Sequence, residues 1–191
     1  MHGRVWTIPN VLSMIRLLLV PVFLYLLLSK HAYGPATAIL IFSGTSDWAD
    51  GKIARLVANQ SSRLGELLDP LVDRVYMVTV PVGLALAGVV PWWLVTILLG
   101  RDLILAAALP VVRSRGVTAL PVTYIGKAAT FALMSGFPLV LLGQWDALWS
   151  RAVGAIGWGF VIWGTGMYLW SAALYLLQVR LVVRALPRAT A

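Results

Sequence analysis

The sequence predicts an all-α, polytopic integral membrane protein with six transmembrane helices and both termini on the cytoplasmic side. Three observations predict it. Hydrophobic residues make up 60% of the 191-residue chain and charged residues 12%, against about 45–50% and about 25% in soluble globular proteins. The apolar residues fall in long charge-free runs, and the basic residues cluster on alternate connections between them. Continuous runs of this kind argue against a transmembrane β-barrel, whose strands alternate apolar and polar residues. The length fits one domain, residues 1–191. A soluble enzyme and a disordered tail are excluded by this composition. The absence of cysteine excludes disulfides, iron–sulfur clusters, thiolate zinc sites and cysteine nucleophiles. With only His2 and His31, near the N-terminus and in a polar gap, no histidine-built metal centre or triad is expected.

A membrane-spanning helix needs about 20 mainly apolar residues. The first helix, 10–28, opens on Thr7-Ile-Pro9-Asn10, with proline in its first turn. Arg16 interrupts its apolar stretch and no small-residue cleavage pattern follows, so it reads as a span and not as a cleaved signal. The second helix is expected over 35–55. The run from Val75 to Gly100 is too long for one span and is interrupted by Pro91, which divides it into a third helix, 65–88, and a fourth, 92–112. The fourth carries Arg101 and Asp102 near its middle. Neighbouring residues on a helix diverge by about 100°, so these two are expected to face different partners; a buried structural pair, or a contact at a subunit boundary, is favoured over catalysis. The fifth and sixth helices are expected over 122–143 and 152–180. Gly154, Gly157, Gly159, Gly164 and Gly166 make the last one suited to close packing through small residues; an intramolecular contact is favoured over a dimer face.

Orientation follows from lysine and arginine placement. With both termini inside, Arg4, Arg16, Lys52, Arg55, Arg63, Arg74, Arg113, Arg115, Lys127, Arg180, Arg184 and Arg188 lie on the inner side, and only Lys30 and Arg151 on the outer. Trp92, Trp93, Trp145 and Trp149 then fall at outer boundaries, where amphipathic rings settle. The net charge of +8 suits an anionic membrane surface or a phosphate-bearing substrate.

Five of the seven acidic residues, Asp47, Asp50, Glu66, Asp69 and Asp73, lie within 27 positions. Asp47 and Asp50 are three apart and Asp69 and Asp73 four apart, so on helices each pair shares a face. The two segments are consecutive spans joined by a short inner loop, and both pairs can point at one another. Four carboxylates at close range need a counter-charge. A divalent cation supplies one, and all-oxygen ligation selects magnesium, manganese or calcium. Two ions would suit an in-line phosphoryl transfer. Gly51 lets a ligand approach the backbone, and Arg55 can meet a phosphate as a planar fork. Either Asp69 caps a helix that starts at Pro70, or the helix starts near Gly65 and is kinked at the proline. The structural alternative for these acids is ion pairing with Lys52, Arg55, Arg63 and Arg74, which is the favoured reading for Glu66 alone.

The run Asp47-Trp-Ala-Asp50-Gly51-Lys-Ile-Ala54-Arg55, followed by Gly65-Glu-Leu-Leu-Asp69-Pro-Leu-Val-Asp73, resembles the signature of the CDP-alcohol phosphatidyltransferases, D-x-x-D-G-x-x-A-R and then G-x-x-x-D-x-x-x-D. The stretch from Arg55 to Gly65 is longer than is usual in that family. The resemblance implies six helices and a site facing the cytoplasm, in the plasma membrane. It implies magnesium or manganese, as two ions, on Asp47, Asp50, Asp69 and Asp73, with Asp73 also the general base. CDP-diacylglycerol is then bound by Asn10, Ser13, Gly51, Arg55 and Ser62. An acceptor hydroxyl attacks the β-phosphorus and CMP leaves. A homodimer is the family expectation, and no nucleic-acid partner is implied.

Arg113, Arg115 and Lys127 flank the second inner loop and are candidates for an acceptor phosphate; the alternative is an ordinary positive-inside loop. The opening TIPNVLSMIRLLLVPVFLYLLL is similar to those of the phosphatidylglycerophosphate synthase and cardiolipin synthase branch, and LPVTYIGKAATF to its actinobacterial members. Phosphatidylglycerophosphate synthases often carry G-K-x-K-T where this chain has Gly126-Lys127-Ala128-Ala129-Thr130. The missing second lysine weakens glycerol-3-phosphate as acceptor and leaves phosphatidylglycerol as a candidate beside it; an inositol phosphate is a further alternative. From another class, an ion or proton transporter would use intramembrane carboxylates as a relay, but these acids cluster at one boundary instead of crossing the membrane. A non-catalytic scaffold leaves the aspartate spacing unexplained.

Overall fold

The computed structural model describes residues 8–56, 63–115 and 124–185, with side chains over 10–47, 71–115 and 124–185. Six helices account for nearly all of it, and no strand occurs among the described residues. They are α1 (Ile8–Leu24), α2 (Tyr33–Leu56), α3 (Arg63–Leu86), α4 (Trp92–Arg113), α5 (Tyr124–Leu142) and α6 (Leu148–Ala185). The first runs directly into a π-helical turn, Tyr25–Ser29. Four segments are long and apolar enough to cross a membrane: Asn10–Ser29, Trp92–Arg113, Tyr124–Leu142 and Leu148–Ala185. Over their described residues α2 and α3, which carry the acidic motif, do not join that set.

The helices form an up-and-down bundle. α1 packs on α2 and α3, α2 on α5, α5 along α6, α6 on α4, and α4 on α3. The core runs between them, with Phe23, Leu27, Leu84, Leu94, Leu133 and Leu141 wholly buried. α1 shows how a span is built for this place. Its buried residues are Asn10, Ser13, Arg16, Val20, Phe23 and Leu27, a stripe at helical spacing, while Met14, Leu18 and Val22 face outward. The first half of the stripe is polar and the second half apolar, so one face changes character along the helix.

Turn chemistry sets the other ends. Gly88 takes a left-handed φ of 73°, a conformation that costs glycine nothing. It lets Val89 N–H close back on the Leu84 carbonyl at 2.8 Å, and α4 starts after Pro91. Trp92 and Trp93 are exposed at this turn. Trp145 and Trp149 sit edge to face, 5.5 Å between centroids, at the α5–α6 connection. α3 begins at Arg63, ahead of Gly65, so Asp69 lies inside the helix and does not cap it. α6 is the largest departure from expectation: it is 38 residues instead of the span 152–180, about 57 Å at 1.5 Å per residue.

α5 and α6 meet backbone to backbone. A Cβ placed on Gly143 would sit 2.6 Å from the Gly154 Cα, and one on Gly157 would sit 2.6 Å from the Val140 nitrogen. Gly136 and Gly164 are similarly hemmed in by the facing helix. The glycines of the last helix therefore serve an intramolecular seam, as favoured from the sequence, while Gly159 and Gly166 face open space.

Candidate active site

Arg16 of α1 is buried at the place where α2 and α3 bring Asp47 and Asp73 together. Its Nη1 donates to Asp47 Oδ1 at 2.5 Å and lies 3.5 Å from Asp73 Oδ1. Its Nη2 donates to Ser13 Oγ at 3.4 Å. The two carboxylates thus share one nitrogen, and their Oδ1 atoms lie no more than the sum of those two bonds apart. Tyr76, three residues beyond Asp73 on α3, ties the same point from the other side. Its hydroxyl donates to the Arg16 carbonyl at 2.9 Å. That uses its only proton, so Ser43 of α2 is the donor in the 2.8 Å bond between their hydroxyls. Three helices are cross-linked by polar groups at one level.

Asp47 and Asp73 are not sealed in. Their side chains are 37% and 46% exposed, while Arg16 is 3% exposed. An arginine held on the inside presents two partly open carboxylates to the outside. Two hard oxygens converging in this way suit the oxygen-seeking ions magnesium and manganese. Among the described residues no group of three potential ligands occurs. The side chains of Asp50, Gly51 and Arg55 on α2 and of Asp69 on α3 lie outside the described residues, as does Ser62 altogether. Asn10 and Ser13, expected to touch the nucleotide, are both buried on the inner stripe of α1, Ser13 against Arg16.

Beside a small pocket lined by Arg16, Asp73 and Tyr76, two larger clefts open on the carboxylates. One, of about 630 Å³, lies between α2 and α5 and is largely apolar, with Leu40, Ile41, Gly44, Phe131 and Met134 on its walls and Asp47 at its edge. The other, of about 270 Å³, lies among α3, α4, α5 and α6, and its walls carry Asp73, Arg74, Arg101, Asp102, Lys127 and Tyr168. Of the three basic residues expected to hold an acceptor, only Lys127 is on a wall of this cleft. Arg113 is exposed at the end of α4, and Arg115 donates to the Val183 carbonyl at 2.8 Å, fastening the end of α6. Arg74 and Arg101 are on its walls as well.

Arg101 and Asp102 do not face different partners. Arg101 Nη1 donates to Asp102 Oδ1 at 2.9 Å, and Tyr168 of α6 donates its hydroxyl to the same oxygen at 2.6 Å. The guanidinium lies over the Tyr168 ring, 3.9 Å from its centroid, and Nη2 donates to Ser171 Oγ at 2.9 Å. The arginine stem is long enough to bring its head around the helix, which the 100° argument from Cβ directions ignores. Arg16 and this pair were the two charged features inside apolar spans, and that placement was the available signal. Tyr76 and Tyr168 carried none.

Residues 6–163 match the CDP-alcohol phosphatidyltransferase family. The chain belongs to that family. Membership makes it a membrane-associated transferase of phospholipid biosynthesis. It is 62% identical over 187 residues to a Mycobacterium tuberculosis protein provisionally named cardiolipin synthase, covering 98% of this chain and 89% of that one. A Streptomyces coelicolor protein named cardiolipin synthase (CMP-forming) is 45% identical over 187 residues, 95% of this chain and 86% of its own. A second M. tuberculosis protein, provisionally named phosphatidylglycerophosphate synthase, is 32% identical over 147 residues, 74% of this chain and 68% of its own. No solved structure matches.

Proposed function

We propose that this family member transfers the phosphatidyl group of CDP-diacylglycerol to the free hydroxyl of phosphatidylglycerol, releasing CMP and forming cardiolipin. The observation that carries the reading is the convergence of Asp47 and Asp73 on Arg16, with an apolar cleft on one side and a cationic cleft on the other. Similarity favours the acceptor: the cardiolipin synthases match over nearly the whole chain, the phosphatidylglycerophosphate synthase over less of it and at lower identity. Glycerol-3-phosphate is the second reading, and the basic cleft suits its phosphate as well.

In this reading the diacylglycerol tail lies in the α2–α5 cleft and the diphosphate reaches Asp47. Asn10, Ser13, Gly51, Arg55 and Ser62 hold the CDP portion. Asp73 accepts the proton of the attacking hydroxyl. The new bond forms between that oxygen and the phosphatidyl phosphorus, while the phosphorus–oxygen bond to CMP breaks and CMP takes the electron pair. Magnesium or manganese, as two ions on Asp47, Asp50, Asp69 and Asp73, would supply neutralisation of the diphosphate. Arg16 holds Asp47 and Asp73 at one spacing.

The single domain, 1–191, crosses the plasma membrane six times with termini and site on the cytoplasmic side, and works as a homodimer. The basic residues cluster on the connections assigned to the inner side, which supports this orientation. The test is CMP release by purified protein in lipid with CDP-diacylglycerol, magnesium or manganese, and single acceptors. Release with phosphatidylglycerol that stops with EDTA supports the reading. Release with glycerol-3-phosphate alone would replace the acceptor, and ion flux without any CDP-lipid would replace the class.

A further inference from the structure

The bundle carries a second apolar groove, separated from the α2–α5 cleft by the α5–α6 pair. It lies between α4 and α6, has a volume of about 410 Å³, and is walled by Thr96, Ile97, Gly100, Ile104, Leu169 and Ala173. One charged residue stands on its wall, Arg101. The same Arg101 is also on the wall of the cationic cleft that holds Asp73. The groove and the cleft therefore share one residue, Arg101. Its guanidinium is held on three sides, by Asp102, by Ser171 and by the Tyr168 ring. Asp102 is in turn held by the Tyr168 hydroxyl.

We propose that the α4–α6 groove is the docking site of the acceptor as an intact membrane phospholipid, with Arg101 binding its phosphodiester. This rests on the phosphatidyltransferase reading and deepens it by naming the acceptor as a lipid with its own entrance. The occupant has an apolar chain, an anionic phosphodiester and a polar head with a free hydroxyl. Each part meets its complement in sequence: the apolar groove, then Arg101, then the cleft in which Arg74 and Lys127 face Asp73. A soluble phosphate ester would use the cleft and have no need of the groove. The two lipids then approach from different faces, the donor between α2 and α5 and the acceptor between α4 and α6, and their heads meet between Asp47 and Asp73. Arg101 acts as a specificity residue and Asp102, Tyr168 and Ser171 as its positioning residues.

Gly100 makes the test clean. A Cβ there meets nothing within 4 Å, so Gly100→Leu fills the groove without disturbing helix contacts. Gly159→Leu, on another open position, is the control for an added leucine. The experiment measures KM for phosphatidylglycerol and for CDP-diacylglycerol, as mole fractions in mixed micelles, for the parent, Gly100→Leu, Arg101→Gln, Arg101→Lys and Gly159→Leu. The expected result for Gly100→Leu and Arg101→Gln is at least a tenfold rise in KM for phosphatidylglycerol, with KM for CDP-diacylglycerol within twofold. Arg101→Lys recovers part of the loss, and Gly159→Leu matches the parent. A purely structural role would lower kcat and leave both KM values. An unchanged KM for phosphatidylglycerol in Gly100→Leu, or a rise for CDP-diacylglycerol instead, would overturn the groove assignment while the parent still releases CMP. A parent silent with every acceptor would overturn the functional reading, and the groove with it.

Discussion

Replacing Arg16 by methionine keeps the length and apolar stem of the side chain and removes only its charged head. Toward Asp47, Asp73 and Ser13 that head makes one short charged bond, to Asp47 at 2.5 Å, and two long contacts, at 3.4 and 3.5 Å. A bond to a charged group contributes about 1.5–3 kcal/mol. Asp47 and Asp73 are more than a third exposed, so water replaces part of what they lose and the lower end applies. The long contacts add little. Removing the cation also leaves two carboxylates within about 6 Å, whose repulsion is about 3 kcal/mol at an effective dielectric of 20 and about half of that once their exposure to water is counted. The loss should total about 3 kcal/mol, or a Tm lower by roughly 6–12 °C for a chain of this size. The assay is thermal unfolding in detergent with EDTA, followed by tryptophan fluorescence. Asp47→Asn in the Arg16→Met background should recover about half of the loss, because one of the two repelling charges is gone. If the two substitutions instead add to within about 0.5 kcal/mol, Arg16 and Asp47 do not act as a pair and the reasoning fails.

Other outcomes follow from the same geometry. Asp73→Asn should lower CMP release by at least about a thousandfold, in the range of a lost general base, with Tm held near the parent's; activity above a tenth of the parent's would remove Asp73 from that role. EDTA should abolish CMP release, and either magnesium or manganese should restore it on titration. Tyr168→Phe removes one hydrogen bond to a carboxylate, about 1.5–3 kcal/mol, and should lower Tm measurably while Tyr175→Phe does not. Gly157→Val places a Cβ against the backbone of Leu139 and Val140, and should cost at least about 2 kcal/mol or prevent folding; normal stability would contradict the α5–α6 seam.

Six helices were legible: four as apolar runs of bilayer length bounded by charge, proline or glycine, and α2 and α3 as shorter apolar runs that continue into the acidic motif. Gly88 and Pro91 marked the α3–α4 turn to within a residue or two. The end of α6 was not legible: Arg180 and Arg184 look like a loop, yet both continue the helix to Ala185. The aspartate motif could be read from spacing alone, since i, i+3 and i, i+4 positions share a face whatever surrounds them. What spacing does not carry is the reach of a side chain. Arg16 was counted as an inner cation, although its place three residues after Ser13 on an apolar helix put it on the buried stripe. The pairing of Arg101 and Asp102 with Tyr168 joins residues 66 positions apart, and no local pattern announces such a contact.

The glycine seam also determines which parts of the bundle can move. Where α5 and α6 touch backbone to backbone, neither can slide or rotate without a collision of main chains, so the pair behaves as one rigid post. Both apolar grooves are bordered by that post on one side and by a helix held through side chains on the other, α2 for one groove and α4 for the other. Any widening of either groove has to come from those two helices. Slow hydrogen exchange along α5 and α6, with faster exchange at the edges of α2 and α4, is the dynamic signature this architecture imposes.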